Sequence, residues 1–229
     1  MNIVEPRVEL IAHTTLACDG RSPAIEGHMS LDPDAGDMQQ LVEFAGRACY
    51  QSFHKPNPKT ARNKDYITRT LHEQKHFSIA EHATATFYIT GVSRALLAEI
   101  TRHRHLSFSV LSQRFVDESE ANIVVPPAAR GSEKFTWEFE NAAVGARHSY
   151  RELVEALLDS GLARKQAREA ARAVLPNMIE TKIVVTGNMR AWHEVIARRT
   201  APDADAEFQQ VAGLIRDELK KLAPAIFKD

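Results

Sequence analysis

The chain has 229 residues, 44% hydrophobic and 26% charged, with a formal net charge of −1. That length and apolar content support a sizeable core, while the near-neutral balance argues against a general nucleic-acid binder, so any basic site is local. Two cysteines, Cys18 and Cys49, are too few for a disulfide framework or a zinc-ligand set. No run approaches a membrane span, the first residues lack the basic and apolar regions of a signal peptide, and a reducing cytoplasm, with no membrane or nucleic-acid partner, is the expected setting.

In chain order, residues 7–14 read as a strand and 15–36 as a loop rich in Gly, Pro, Asp and Ser. Asp37 caps an expected helix with Met38, Leu41, Val42, Ala45 and Cys49 on one apolar face, which packs Cys49 in the core. Nothing near Cys49 would activate it as a nucleophile. Two prolines make residues 55–60 a loop, and 65–74 form a helix with Ile67, Thr70 and Leu71 inward. Residues 83–90 are β-prone and lead through Gly91 into a helix capped by Ser93. On that helix Leu96, Ile100 and His103 share a face, and Glu99 and Arg102 are neighbours one turn apart. Residues 104–114 then run as a polar loop.

Residues 122–127 read as a short extended piece ended by prolines, and 128–134 as loop. A long helix is expected over 135–160, with Phe139, Ala142, Ala143, Ala146, Tyr150, Val154, Leu157 and Leu158 recurring at three and four; Gly161 ends it. A second helix over 163–174 carries Lys165, Arg168 and Arg172 in a stripe, which on spacing alone is a solvated face. Residues 181–186 read as a strand. The helix 189–199 has Met189, Trp192, Val195, Ile196 and Arg199 on its apolar face. A guanidinium there needs a partner, or must reach back to the last carbonyls. A last helix over 203–222 buries Phe208, Val211, Ala212, Ile215, Leu219 and Leu222, with Asp203, Asp205 and Glu207 at its positive end. There is no internal repeat, no G-x-G-x-x-G and no Walker loop.

Two stretches carry chemistry. His72-Glu73-Gln74-Lys75-His76 is a literal H-E-x-x-H, which on a helix would present two imidazoles to zinc, with Glu73 as the base of a metallopeptidase. The helix is expected to end near His76, however, and no second motif offers a third ligand. The other stretch is Arg102-His103-Arg104-His105-Leu106-Ser107-Phe108-Ser109-Val110-Leu111-Ser112-Gln113-Arg114-Phe115. Its guanidinium forks and hydroxyls suit a phosphorylated, planar ligand, with Glu99 accepting from a base or sugar. The same composition is open to two other readings: a solvated basic loop, or a non-catalytic RNA- or nucleotide-binding module with Phe108 and Phe115 as stacking rings.

Arg102-His103-Arg104, seven residues and then Ser112 resembles the signature of the flavin-dependent thymidylate synthases, and Ser112-Gln113-Arg114 with a following aromatic continues it. The resemblance runs along nearly the whole chain. His76, Ser78, Glu81 and His82 resemble the family's H-x-S/T-x-x-E-H segment, the stretch from Arg164 through Arg172 to Pro176 a nucleotide-binding one, and Asn188-x-Arg190 with Arg199 a second flavin and nucleotide segment.

The resemblance implies one domain over residues 1–229, of the α/β class (α+β type), with a central, mainly antiparallel sheet flanked by helices. It implies a homotetramer with active sites between subunits. The implied reaction converts dUMP to dTMP, with methylenetetrahydrofolate supplying the carbon and NADPH reducing FAD, so no cysteine nucleophile is needed. Ser78, Arg102, His103, Arg104, Asn188 and Arg190 would hold FAD. Glu99, Arg102, Ser112, Gln113, Arg114, Arg172 and Arg199 would hold dUMP, with Arg199 as the catalytic residue that stabilises negative charge on the ring. No metal is implied. Three positions depart from the family: Val110 where Gln or Glu is usual, Glu194 where His or Asn meets the flavin (with His193 as the neighbour to take over), and Asp203 in place of a histidine.

Overall fold

Ala85, Phe87 and Ile89 are fully buried and alternate with the more exposed Thr84, Thr86 and Tyr88. That period of two makes a strand with one face on a core. The computed structural model describes residues 2–54 and 57–228, so Lys55 and Pro56, part of the expected loop, lie outside the described residues. Four strands form one antiparallel sheet: β1 (Arg7–His13), β2 (Thr84–Ser93), β3 (Leu106–Val110) and β4 (Glu180–Asn188), in the order β1-β2-β4-β3. The expected fold class is the observed one.

The helices are α1 (Pro23–Glu26), α2 (Asp37–Tyr50), α3 (Asn63–Ile67), α4 (Arg94–Ile100), α5 (Glu133–Asp159), α6 (Arg164–Ala171), α7 (Met189–Arg199) and α8 (Ala206–Leu222); α4, α7 and α8 pack directly on the sheet, while α5 packs with α6. Phe208, Val211, Ala212, Ile215 and Leu219 of α8 join Phe87, Ile89, Ile183 and Val185 of the sheet in the main core. Each of these side chains except Ala212 contributes roughly 1.5–3 kcal/mol on burial. Trp192 of α7 is fully buried, donates from Nε1 to the Ala85 carbonyl at 3.1 Å and meets Phe87 edge-on.

Two strands pass directly into helices. Ser93 ends β2 and caps α4, its hydroxyl accepting from the Leu96 N–H; Asn188 ends β4 and caps α7 through the Ala191 N–H. A bulge between Ile89 and Val92 turns β2 toward α4. Gly91 sits in it at φ +67, and a Cβ there would lie 1.9 Å from the Glu5 carbonyl oxygen, so only glycine fits. Because β2 and β4 are antiparallel, α4 and α7 start from opposite ends of the sheet.

Several expectations are corrected. Residues 104–114 are not a loop throughout: Leu106–Val110 is the edge strand β3, its Leu106, Phe108 and Val110 turned to the core and Ser107 and Ser109 outward. Cys49 is exposed. The inward face of α2 includes a buried polar network in which Glu43 pairs with Arg47 and accepts from Asn63, leaving Cys49 and Tyr50 outside. The helix at 65–74 is α3 followed by a π-helical turn, Thr68–Glu73, though Ile67, Thr70 and Leu71 are inward as expected. The region 15–36 contains α1 and a short 3₁₀ turn, and the second helix ends as α6 with a 3₁₀ turn over Arg172–Val174. The last helix is capped by Asp205. Its Glu207 is buried and accepts from the Ser93 N–H and hydroxyl at 2.7 and 2.6 Å, tying α8 to the start of α4.

Candidate functional site

The segment after α4 runs beside α7. Arg102, His103, Arg104 and His105 line a groove against Ala191, Glu194, Val195 and Arg198, and His105 and Glu194 continue it into a cleft with Asn188, Arg190 and Glu81. Five of the six expected flavin residues, all but Ser78, therefore line this groove and its cleft. Arg190 pairs with Glu81 at 2.6 Å, on the same 3₁₀ turn (Phe77–Glu81) that exposes Ser78. Arg102 is well exposed and only loosely paired with Glu99, at 3.6 Å. Arg104 forms no ion pair among the described residues. With the N-terminus of α7, these cations make an end suited to a diphosphate.

Arg199 resolves differently from either sequence expectation. Its Nη1 donates to Glu99 at 3.0 Å and its Nε to His103 Nε2 at 2.9 Å, with the guanidinium 4.8 Å from the Phe208 ring centroid. Neither a ligand nor its own last carbonyls are required; α4 and α7 supply the partners. His103 accepts this bond and is therefore neutral. Burial first, and then the Arg199 charge, push its pKa down.

The expected dUMP set splits. Ser112, Gln113 and Arg114 follow β3, at its far end from Arg104. Five strand residues separate the two groups by about 14 Å of strand at ~3.4 Å per residue. Gln113 is buried, Arg114 pairs with Glu169 of α6 at 3.3 Å, and Arg172 is half-buried after α6. Among the described residues no hydrogen bond or ion pair joins Glu99 or Arg199 to Ser112, Gln113, Arg114 or Arg172. The cation stripe on α6 is not simply solvated. Arg168 donates to the Phe115 carbonyl at 2.6 Å and pairs with Asp117 at 2.8 Å, and Lys165 lies over the Phe115 ring.

Two residues at this end were missed. Arg94, half-buried, reaches the Leu111 carbonyl and the Thr181 hydroxyl; burial pushes its pKa down, opposed by Glu118 and aided by Arg172. Glu118 is buried, and one carboxylate oxygen has no partner among the described residues. Burial pushes its pKa up to about 7, opposed by Arg94 and aided by Asp117 and Glu180. The available signal was Arg94 itself, a cation in the first turn of a helix, where the dipole disfavours it.

The departures have structural outcomes. Glu194 pairs with Arg198 at 2.6 Å, which neutralises it within the groove. His193, the neighbour expected to take over, is half-buried against Phe77 and Phe227 and lines neither the groove nor the cleft. Val110 is a core-facing residue of β3, and Asp203 is exposed. The zinc motif does not assemble. His72 Nε2 bonds the Ala225 carbonyl at 2.9 Å, the helix there is π-wound, and Lys75 at φ 60 turns the chain before His76.

An antiparallel sheet packed by helices, with an arginine-lined groove along α7, defines an α/β protein with a site suited to a phosphorylated ligand. Residues 33–225 match the family model described as thymidylate synthase complementing protein. A flavin-dependent thymidylate synthase from Mycobacteroides abscessus is 49% identical over 235 residues, covering 99% of this chain and 90% of that protein. One from Mycobacterium tuberculosis is 47% identical over 230 residues, covering 97% and 89%. The structure of thymidylate synthase X from Helicobacter pylori, solved with FAD and dUMP, superposes with a TM-score of 0.64 over 98% of this chain and all of that one, at 21% identity, a likeness of fold. The chain belongs to the flavin-dependent thymidylate synthase family.

Proposed function

We propose that residues 1–229 act as one domain that methylates dUMP reductively: dUMP, methylenetetrahydrofolate, NADPH and a proton give dTMP, tetrahydrofolate and NADP⁺. FAD, when bound, supplies the hydride-transfer chemistry. The residues fit that cofactor. Arg102, Arg104 and Arg190 and the start of α7 offer cationic and N–H donors to a diphosphate, Asn188 keeps its side-chain amide N–H groups while its oxygen caps the helix, and Glu194 is neutralised by Arg198.

The protein's own part is to bind and polarise. Arg199, held by Glu99 and His103, presents its remaining N–H groups beside the groove, where they stabilise negative charge developing on the uracil. Glu99 orients that guanidinium, and neutral His103 accepts without adding charge. Ser112, Gln113, Arg114 and Arg172 take the nucleotide's sugar and phosphate. These lie away from Arg199 in one chain, which supports sites shared between subunits of a homotetramer. The long helix α5 adds support: Trp137, Val144 and Leu158 are exposed along one side of it, an apolar stripe suited to another copy.

We place the protein in the cytoplasm. Both cysteines are free, and among the described residues no helix is long and apolar enough to cross a membrane. The observation that carries the functional reading is the convergence of Arg102, His103, Arg104, Asn188 and Arg190 on one groove and its cleft, with Arg199 bonded to His103 behind it. Visible absorbance tests it: the protein should bind FAD, and dUMP should shift the flavin spectrum. No flavin binding in excess FAD overturns the reading.

A further inference from the structure

Glu194 stands where the family resemblance implies a histidine or asparagine against the flavin, and it lines the groove along α7. A carboxylate in that place repels a diphosphate. Its neighbour one turn further along the helix accounts for it. Arg198 lines the same groove, and its Nη2 meets Glu194 Oε1 at 2.6 Å. The reaction as described above uses Arg198 only to cancel that charge. Three observations give the arginine more to do.

First, the guanidinium is half engaged. Nη2 faces Glu194, and among the described residues no hydrogen bond or second ion pair holds Nη1 or Nε. The side chain is 67% exposed, so these groups are open to a ligand. Arg199, the next residue, differs: Glu99 and His103 hold its fork from two sides.

Second, the pair aims the fork. A glutamate four residues before a cation is the favourable order on a helix, and Arg198 lies in the last turn of α7, where the dipole favours a cation. An exposed arginine without an anchor would sample many rotamers; this one has given up much of that freedom before a ligand arrives. Burial and then Arg199 dominate the lowered pKa of His103, and Arg198 and Glu194 follow with opposite signs, which puts the pair within electrostatic reach of the Arg102–Arg104 stretch.

Third, the groove matches a diphosphate only with Arg198 counted. Apart from its histidines, its ionised lining is Arg102, Arg104, Arg198 and Glu194. That leaves an excess of two positive charges, opposite to the two negative charges of a diphosphate. Without Arg198, Glu194 would cancel half of what Arg102 and Arg104 offer. A guanidinium suits the task better than an ammonium, because one edge can hold the carboxylate while the other takes a phosphate oxygen.

We propose that Arg198, aimed by Glu194, is a flavin-binding residue of this chain: its free N–H groups take a phosphate oxygen of FAD, replacing the contact implied for histidine or asparagine at position 194. The proposal rests on the thymidylate synthase reading. It makes the Glu194 departure one half of a paired change whose other half is Arg198.

The test compares the parent protein with Glu194→Gln, Arg198→Ala and the two together. Both side chains are exposed, so folding is expected to survive; thermal melts check it. Quenching of flavin fluorescence gives the FAD dissociation constant without turnover. Arg198→Ala should weaken binding about thirtyfold or more, since it loses a contact and leaves Glu194 facing the diphosphate. The double variant should stay about tenfold weaker than the parent, the loss of one charge-assisted contact. Glu194→Gln alone should change affinity less than about threefold, because lost aim and lost repulsion oppose each other. Added salt should narrow the gap between parent and double variant, as for any ionic contact in an open groove. A double variant that returns to within about twofold of the parent overturns the proposal, for Arg198 then only cancels Glu194. An unchanged affinity in Arg198→Ala, or a gap indifferent to salt, overturns it too. A parent protein that takes up no FAD instead overturns the thymidylate synthase reading, and that result is read on the parent alone.

Discussion

Arg199 shows how one side chain can be both packed and available. It stands on the apolar face of α7, where a lone guanidinium would be costly, and α4 answers with Glu99 and His103. Two directed bonds from one planar group fix its orientation, which a lysine cannot reproduce. Arg199→Lys should therefore lower kcat/KM for dUMP by at least tenfold, through loss of charge-assisted hydrogen bonding of about 1.5–3 kcal/mol. Flavin absorbance should persist, and retained turnover would refute the role given to Arg199. A cation on an apolar face was visible in the sequence. Its partners were not, because Glu99 lies 100 residues away and spacing carries no distance across such a gap.

Glu118 makes a pH prediction at the same scale. Its pKa is raised from 4.5 to about 7, chiefly by burial. The folded state therefore holds the proton more tightly than the unfolded one. This group costs nothing below the unfolded value, its penalty grows as pH rises through the window from 4.5 to about 7, and it is constant above. The whole loss is on the order of 3 kcal/mol. Glu118→Gln should abolish that fall and be the more stable form near pH 8, measured as urea midpoints at both ends of the window. No motif marks this glutamate; only its place under the chain after β3 makes it unusual.

At the scale of elements, the helices and the two central strands were readable, because α4, α7 and α8 keep their apolar periods and Ser93 and Asn188 cap as their side chains allow. The edge strand was hidden by its charged flanks. Leu106-Ser107-Phe108-Ser109-Val110 alternates strictly, but three arginines around it spoke for a ligand loop and masked that period. The π-helical turn had no sequence mark. The junction from β2 to α4 is the most demanding element. Gly91→Ala would drive a Cβ to within 1.9 Å of the Glu5 carbonyl oxygen at a positive φ. It should destabilise by about 2–4 kcal/mol. Gly213→Ala is the control: it lies within α8 with open space around it, and should stabilise by about 0.5–1 kcal/mol. Equal denaturation midpoints for the two variants would show that the bulge does not constrain Gly91.

For the whole molecule, the decisive fact is that one chain does not bring its expected nucleotide residues together. Glu99, Arg102 and Arg199 stand together beside the groove along α7; Ser112, Gln113, Arg114 and Arg172 stand beyond the other end of β3, braced by α6 through Glu169. A linear motif hid this division, since Arg104 and Ser112 are eight residues apart in sequence and yet a strand's length apart in space. If two chains complete each site, a variant defective at one end and a variant defective at the other are complementary. Arg114→Ala and Arg199→Ala should each be nearly inactive as purified homo-oligomers. When the two are unfolded together and refolded, random assembly pairs an intact groove with an intact Ser112–Arg114 loop in about a quarter of the sites. Activity should recover to about that fraction of the parent level, and mixing without exchange of subunits should recover none. Persistent inactivity of the co-refolded mixture, with oligomers of normal size by sedimentation, would mean that each chain completes its own site. The α5 surface enters the same experiment. Trp137→Glu puts a charge on its exposed apolar side, and should release subunits and lose activity together, because a site divided between chains does not survive their separation.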